Sequence, residues 1–190
     1  KVVQIAASVS AVEAIPGTRQ AVTEAALAAV ETSFYASHNW PPFFIEGTKT
    51  LAYELWAPLG FAVPDNVLVP TGYGSNILGL ERGFDELIRR GEIERMPRLF
   101  AVQAANCAAF AAAWSGDADF APQPTMADGI ATVKPVRTQE VLAALRRSRG
   151  GVAAVPEDEI APALTRLGRL GLYVEPTSAT VGAALSRLLA

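Results

Sequence analysis

A short glycine-containing segment is the part of the sequence best suited to bind a ligand. Gly72-Tyr73-Gly74-Ser75-Asn76 follows the apolar run Asn66–Pro70 and precedes a segment with helical spacing at residues 77–90. Glycine permits left-handed backbone angles and lets a ligand approach the main chain closely. Unpaired amides at the start of a helix, together with the helix dipole, favour an anion. The pattern therefore predicts an anion site with phosphate as its natural ligand.

The loop differs from two familiar phosphate-binding motifs. No Gly-Lys-Ser/Thr follows Gly72 at the spacing of a P-loop, and Ile77 stands where a dinucleotide fingerprint has its third glycine. A glycine turn between a strand and a helix is also common without any ligand. From the loop alone, phosphate binding and a plain structural turn both stay open.

Cysteine and histidine are too scarce for several other kinds of site. Cys107 and His38 are the single cysteine and the single histidine of the 190 residues. An internal disulfide, a thiol metal cluster and a multi-histidine metal site are therefore excluded. A serine hydrolase triad would have to use His38, which has no recognisable nucleophile motif near it. We expect no metal, a small buried Cys107 and a loop position for His38.

Charge and hydropathy limit the partners. The formal net charge is −3, whereas surfaces that bind nucleic acid are usually basic. No apolar run approaches the length of a bilayer span, and the amino end lacks the features of a signal peptide. The sequence therefore predicts a cytoplasmic protein that binds neither nucleic acid nor membrane.

The segments around the loop alternate between predicted strands and predicted helices. Apolar runs predict strands at residues 11–15, 34–37, 66–70, 98–103, 152–155 and 172–174. Helical spacing predicts helices at about residues 18–31, 48–59, 77–90, 104–114, 138–147, 156–170 and 177–190, and residues 2–7 fit a helix end or a short strand. Such alternation predicts an α/β fold, a parallel sheet flanked by helices. Strands with little polar alternation are expected to be buried on both faces.

Several further segments resemble motifs of the threonine synthases, in the order in which that family has them. Phe43-Phe44-Ile45-Glu46-Gly47-Thr48-Lys49-Thr50 is similar to their Glu-Gly-x-Lys-Thr stretch, and residues 97–104 to the strand after their phosphate loop. Residues 125–130 and 134–137 resemble their Thr-Ile-Ala-x-Gly-Ile and Pro-x-Arg elements, and residues 174–179 their Glu-Pro-Ala-Ser-Ala motif. Together the matches cover nearly the whole chain.

On these motifs the chain resembles the fold type II pyridoxal-phosphate-dependent enzymes, which include threonine synthase, serine and threonine dehydratases and cysteine synthase. The resemblance implies most of the larger cofactor-binding domain at residues 34–190 and a remnant of the smaller domain at residues 1–33. It implies pyridoxal 5'-phosphate as the cofactor and a small phosphorylated amino acid as substrate. The implied activity is a carbon–oxygen lyase of threonine biosynthesis, converting O-phosphohomoserine to threonine and phosphate. Family members are often dimers, so a homodimer is expected.

The resemblance also implies roles for individual residues. Residues 72–76 would cradle the cofactor phosphate with backbone amides, residues 128 and 129 would lie near its ring, and residues 175–179 would form a wall at its pyridine end. The implied cofactor-binding residues are Gly72, Tyr73, Gly74, Ser75, Asn76, Asp128, Gly129, Glu175 and Ser178. For the last group, the start of a helix at Glu175-Pro176 is an alternative explanation.

Two groups that the family uses have no counterpart here. The family's Schiff-base lysine lies in a Ser-Phe-Lys-Asp-like motif, but Lys1, Lys49 and Lys134 all stand in other contexts. The family's partner of the pyridine nitrogen comes from a Thr-Gly-x-Gly-like segment, which is also missing. We therefore expect that the chain is incomplete at both ends, contains no catalytic lysine and is inactive by itself.

Three interpretations stay open. The chain is part of a threonine synthase-type lyase, part of another fold type II enzyme such as a dehydratase or a cysteate-forming synthase, or a non-enzymatic module that binds a phosphorylated ligand. The first two differ mainly in whether the substrate carries a phosphate group.

Overall fold

The structure is a computed structural model that describes residues 2–9, 11–37 and 40–188. The chain forms two compact units, residues 1–37 and residues 38–190. Lys1 and His38, for which a loop position is expected, lie outside the described residues.

The described part of the first unit contains two helices and a short 3-10 turn. Helix α1 spans Val2–Ala6, helix α2 spans Arg19–Ala28, and the turn follows at Ala29–Glu31. Thr18 begins α2 because its side-chain oxygen accepts the amide of Ala21 at 3.3 Å. Of the two structures predicted for residues 2–7, a helix end or a short strand, the helix is therefore correct.

The second unit is built on a parallel sheet. Within the described residues it has three strands in the order β1-β2-β3: Asn66–Pro70, Arg98–Ala104 and Gly151–Val155. Val69 pairs with Ala101, and β3 continues the ladder on the other side of β2. The predicted parallel sheet flanked by helices is confirmed.

Helices cover both faces of this sheet. In chain order they are α3 (Phe43–Thr48), α4 (Thr50–Trp56), α5 (Ser75–Arg89), α6 (Ala109–Ser115), α7 (Thr138–Arg147), α8 (Glu157–Arg169) and α9 (Pro176–Leu188). On β2, Leu99 and Ala101 join the core formed with α3, α4, α5 and α7. Val102 and Ala104 join the core formed with α8 and α9. Side chains of a strand alternate between faces, so a strand buried on both faces has no polar alternation.

Three predicted strands are wrong. Residues 11–15, 34–37 and 172–174 have no strand or helix structure. A strand needs hydrogen bonds to a neighbouring strand, and the described residues place no strand beside these segments. An apolar run alone cannot reveal whether such a partner exists.

Two predicted helices begin at other positions. The helix predicted for residues 48–59 is the pair α3 and α4, and it begins soon after Pro41-Pro42, residues well suited to a helix start. The helix predicted from Ala104 starts only at Ala109, since Ala104 ends β2 and Ala105–Cys107 form a 3-10 turn. No helix among the described residues has the length and apolar character needed to cross a membrane.

Candidate functional site

The glycine loop lies at the carboxyl end of β1 and turns directly into α5. Gly74 is the cap of α5 and has a left-handed backbone with φ of 89°. A Cβ on Gly74 would overlap Val141 Cγ2 and approach Phe110 Cζ to 3.2 Å. Both the backbone angle and the neighbouring side chains therefore require glycine at this position.

The start of α5 presents unpaired backbone donors. The amide of Leu78 donates to Gly74 O at 3.1 Å and closes the first turn. The amides of Ser75, Asn76 and Ile77 consequently have no partner within the helix. The aligned peptides of this long helix add a partial positive charge at the same end, so the turn is suited to an anion.

These donors face a cavity of about 350 Å³. Its lining consists of three chain segments: Pro70, Thr71, Gly72, Tyr73, Gly74, Ser75, Asn76 and Ile77 from the loop, Gly129 and Ile130, and Glu175, Thr177 and Ser178. The structure thus brings together every residue predicted for the site except Asp128. Asp128 is exposed and is not part of the lining.

The wall opposite the loop is formed by a 3-10 turn and the start of α9. The turn spans Asp128–Ile130, and a Cβ on Gly129 would lie 2.7 Å from Thr177 Oγ1. This close contact joins the two wall segments. Thr177 lies within residues 175–179, which the resemblance assigned to the wall, but it was not among the predicted cofactor-binding residues. Its contact with Gly129 joins residues that are distant in sequence, so the sequence alone gave no sign of it.

Beside Gly72 lies a buried hydroxyl that no sequence pattern pointed to. Thr132 is only 4 % exposed, and its Oγ1 has no hydrogen-bond partner among the described residues. A Cβ on Gly72 would lie 3.1 Å from this oxygen. A buried polar atom without a partner is costly, so an acceptor or donor reaching this side of the loop would satisfy it.

Lys49 is engaged in ion pairs away from the cavity. Its Nζ lies 2.7 Å from both Glu46 Oε2 and Glu86 Oε1, and Tyr53 donates a short hydrogen bond to Glu86. The hydrogen bonds from Lys49 lower the pKa of Glu46 and of Glu86, and the two carboxylates raise the pKa of Lys49. Burial is the main cause that raises the pKa of Tyr53.

Neither a reactive thiol nor a metal site accompanies the cavity in the part of the chain that is described. Cys107 is buried and free, and burial, followed by the charge of Glu157, raises the pKa of its thiol. The expectation of a small buried cysteine is confirmed. Among the described residues, no group of three or more His, Cys, Asp or Glu side chains could hold a metal ion.

Comparisons with known proteins connect this geometry to a family. The family model described as "Pyridoxal-phosphate dependent enzyme" matches residues 2–190. Threonine synthase of Methanocaldococcus jannaschii is 36% identical over 166 residues, which is 85% of this chain and 41% of that protein. Threonine synthase of Methanosarcina acetivorans is 34% identical over 86% of this chain and 43% of that protein. The chain thus spans about two fifths of the length of these relatives.

Solved structures give the same result for the fold. Threonine synthase from Escherichia coli superposes with a TM-score of 0.67 at 20% identity, over 93% of this chain and 44% of that chain. The T.th. threonine deaminase superposes with a TM-score of 0.62 at 27% identity, over 77% of this chain and 52% of that chain. Both are similar in fold, and the family match extends across nearly all of this sequence. The chain belongs to the family of pyridoxal-phosphate-dependent enzymes.

Proposed function

We propose that this chain supplies the phosphate-binding part of the cofactor site in a lyase of the threonine synthase type. The whole enzyme would convert O-phosphohomoserine to threonine and phosphate. The observation that carries the proposal is the set of amides at residues 75–77 without a partner in the helix, beside a cavity lined by the whole loop. The second wall of that cavity consists of Gly129, Ile130, Glu175, Thr177 and Ser178. The threonine synthases among the relatives support this choice of reaction.

The residues present suit the phosphate group of pyridoxal phosphate. Gly74 gives the loop its left-handed turn into α5, and its Cβ position is occupied by Val141 and Phe110. The amides of the first turn of α5 supply donors. The unpartnered Thr132 hydroxyl beside Gly72 would gain a partner from a bound phosphate or from a water that bridges to it.

The opposite wall would hold the ring of the cofactor. We assign Gly129, Glu175 and Ser178 to this wall because they line the cavity across from the loop, and Asp128 to its exposed rim. When bound, pyridoxal phosphate acts as an electron sink for the amino-acid substrate. This chain's own residues bind the phosphate and limit the orientations that the ring can take.

A catalytic lysine is not part of the proposal. Protonation makes an amine a poor nucleophile, and Lys49 is held protonated between two carboxylates. Lys134 is exposed and does not line the cavity. Residues 1–190 alone would therefore be inactive, with residues 1–33 belonging to the smaller domain and residues 34–190 to the larger one.

The whole protein would be a homodimeric enzyme of the cytoplasm that acts on a small phosphorylated amino acid. A dehydratase-type lyase is the second candidate. The T.th. threonine deaminase supports it, because its fold is similar at 27% identity.

The decisive experiment is a product assay on the full-length natural protein with pyridoxal phosphate. The proposal predicts threonine and inorganic phosphate from O-phosphohomoserine. Release of ammonia from threonine or serine, without phosphate release from O-phosphohomoserine, would support the dehydratase instead. If neither substrate turns over while pyridoxine 5'-phosphate still binds, both proposed activities are wrong, and the choice is between another fold type II reaction and a non-enzymatic module for phosphorylated ligands.

A further inference from the structure

A buried glutamine connects the base of the glycine loop to the sheet. Gln103 lies at the carboxyl end of β2, two strand positions beyond Ala101, and its side chain is 0 % exposed. A buried amide costs free energy unless its polar atoms are hydrogen-bonded. The position is therefore expected to have a specific set of partners.

The partners fix the orientation of this amide. Gln103 Oε1 accepts the backbone amides of Phe110 at 2.9 Å and Ala111 at 3.2 Å. Gln103 Nε2 donates to Thr71 O at 3.2 Å. Since backbone amides can only donate and a carbonyl can only accept, a flipped side chain would lose all three contacts.

Thr71 is the residue immediately before the loop, and its other polar groups are already paired. Its amide donates to Val102 O at 2.8 Å, and its hydroxyl donates to Val69 O at 2.7 Å. Its carbonyl is the group that Gln103 holds. In a planar trans peptide the carbonyl of Thr71 and the amide of Gly72 point in opposite directions, so Gln103 also sets the direction of the Gly72 amide.

The same side chain reaches the second glycine through α6. Phe110, whose amide Gln103 accepts, contacts the space beside Gly74, since a Cβ there would lie 3.2 Å from Phe110 Cζ. One buried amide thus supports both glycines of the loop. The hydrogen bonds of Gln103 Nε2 to the loop and of Gln103 Oε1 to α6 both have normal lengths.

We propose that Gln103 is a positioning residue for phosphate binding, which aims the Gly72 amide and holds the surroundings of Gly74. The inference rests on the proposed function of the loop. It predicts a selective effect: loss of the Gln103 contacts weakens the binding of phosphorylated ligands much more than the binding of the same ring without phosphate.

The test compares pyridoxine 5'-phosphate with pyridoxine, two ligands that bind reversibly because they lack an aldehyde. Calorimetric titration is done on the full-length natural protein and on its Gln103→Glu variant, both freed of pyridoxal phosphate, because a bound cofactor would occupy the same site. A carboxylate keeps the acceptor for Phe110 and Ala111 but turns an acceptor toward Thr71 O. We expect the affinity for the phosphorylated ligand to fall about tenfold or more, corresponding to one lost hydrogen bond and a repulsion, and the affinity for pyridoxine to change less than about threefold.

Acidification supplies a second signature, to be measured with both ligands because a purely structural defect would recover equally for the two. Once protonated, the introduced carboxyl group can donate to Thr71 O. The ratio of variant to wild-type affinity for pyridoxine 5'-phosphate should therefore recover as the pH falls. Gln139→Glu is the matched control, because it adds the same charge at an exposed position of α7, and its ratio should stay flat.

Each outcome bears on one hypothesis. If Gln103→Glu weakens both ligands equally, or weakens neither, the positioning role is wrong. If Gln103→Glu does not fold, Gln103→Met removes both contacts without a charge and is judged by the same selectivity. If the wild-type protein binds pyridoxine 5'-phosphate no more tightly than pyridoxine, the proposed function of the loop itself fails.

Discussion

The beginning of α5 is held on two sides by contacts of different physical character. On the side of the sheet, Gly74 packs on Val141 and Phe110, and the neutral amide of Gln103 supports the loop from a fully buried position. On the side of α3 and α4, called the α4 side below, Gly79 and Gly83 of α5 pack against Thr48 and Lys49. The charged side chains of Lys49, Glu46 and Glu86 lie on this side as well. The first side determines where ligand donors point, and the second determines where the helix itself lies.

The α4 side owes its closeness to two glycines one helical turn apart. A Cβ on Gly79 would lie 2.6 Å from Thr48 Oγ1, and a Cβ on Gly83 would lie 2.5 Å from Lys49 O. The Thr48 hydroxyl also lies 3.4 Å from Ser75 O, at the first residue of α5. The Glu-Gly-Thr-Lys-Thr motif therefore contacts the helix whose first turn carries the unpaired amides, although it does not line the cavity.

The charged residues on the α4 side are expected to contribute little to the free energy of unfolding. Lys49 has 22% of its side chain exposed and Glu46 has 44%, and exposed ion pairs are screened by water and salt. The comparison between the two sides therefore predicts that steric and hydrogen-bond changes have larger effects than changes of charge.

The largest effect is expected on the sheet side, from Gly74→Ala. The variant combines left-handed strain of about 1–2 kcal/mol with overlap against Val141 and Phe110. We expect about 3 kcal/mol less unfolding free energy, measured by urea denaturation, and weaker binding of pyridoxine 5'-phosphate. Gly171→Ala is the control, because Gly171 has a similar φ of 81° and no atom within 4 Å of the added Cβ. Equal losses in the two variants would mean that the packing beside Gly74 is unimportant.

Gly83→Ala tests the packing on the α4 side. The added methyl group would press on Lys49 O and on Ala52 Cβ at 2.6 Å, so we expect about 2 kcal/mol less unfolding free energy. Gly168→Ala, within α8 and with nothing within 4 Å of the new Cβ, should instead stabilise by up to about 1 kcal/mol through helix propensity. The unfolding free energies are measured by urea denaturation. A change of the same sign in both variants would contradict the close α4–α5 contact.

Thr132→Val should act in opposite directions on stability and on binding. Removal of the unpartnered buried hydroxyl raises the unfolding free energy of the ligand-free protein by about 1 kcal/mol, and it weakens pyridoxine 5'-phosphate binding. The contrasting variant is Thr180→Val, because the buried Thr180 hydroxyl donates to Thr177 O at 2.7 Å, so its loss should destabilise. Thermal unfolding with and without ligand distinguishes the two, and a destabilised Thr132→Val would show that the hydroxyl has a partner.

The smallest effect is expected from Lys49→Met. The lowered pKa values of Glu46 and Glu86 mean that their pairing stabilises the fold above the usual carboxyl pKa of about 4 and is lost as the pH falls through the folded-state values. The variant should thus be less stable than wild type at neutral pH and low salt, with the difference closing at acid pH and in high salt. Lys134→Met, at an exposed position, controls for net charge. A difference that is independent of salt would point to packing of the Lys49 chain instead.

The sequence was a good guide wherever the signal was local. The strands around the loop were predictable because Asn66–Pro70 and the core of β2 are continuous apolar runs, and the helix starts at Ser75 and Pro176 follow glycine and proline signals. The loop and the wall at Glu175 and Ser178 were located through motif order, and the structure brings them to one cavity.

The wrong strand predictions and the residues that the sequence analysis missed share a different cause. Residues 11–15, 34–37 and 172–174 have strand-like composition, but pairing depends on which segment lies alongside. Thr132 and Gln103 were not predicted as site residues. The first has a buried hydroxyl without a partner and the second has a buried amide with three hydrogen bonds, and both properties depend on residues distant in sequence. Both kinds of information are tertiary.

The wide separation of the cavity walls along the chain has a consequence for biosynthesis. The loop ends at Asn76, whereas Ser178 on the opposite wall is made about 100 residues later, a delay on the order of 5–20 s on the ribosome. Helix α9 belongs to the same core as α8 on one face of the sheet, so that face of the early strands is incompletely covered until α9 has been made. The nascent protein therefore has an apolar surface available to chaperones until α9 emerges, and a ligand that needs both walls of the cavity can bind only after this region has been translated.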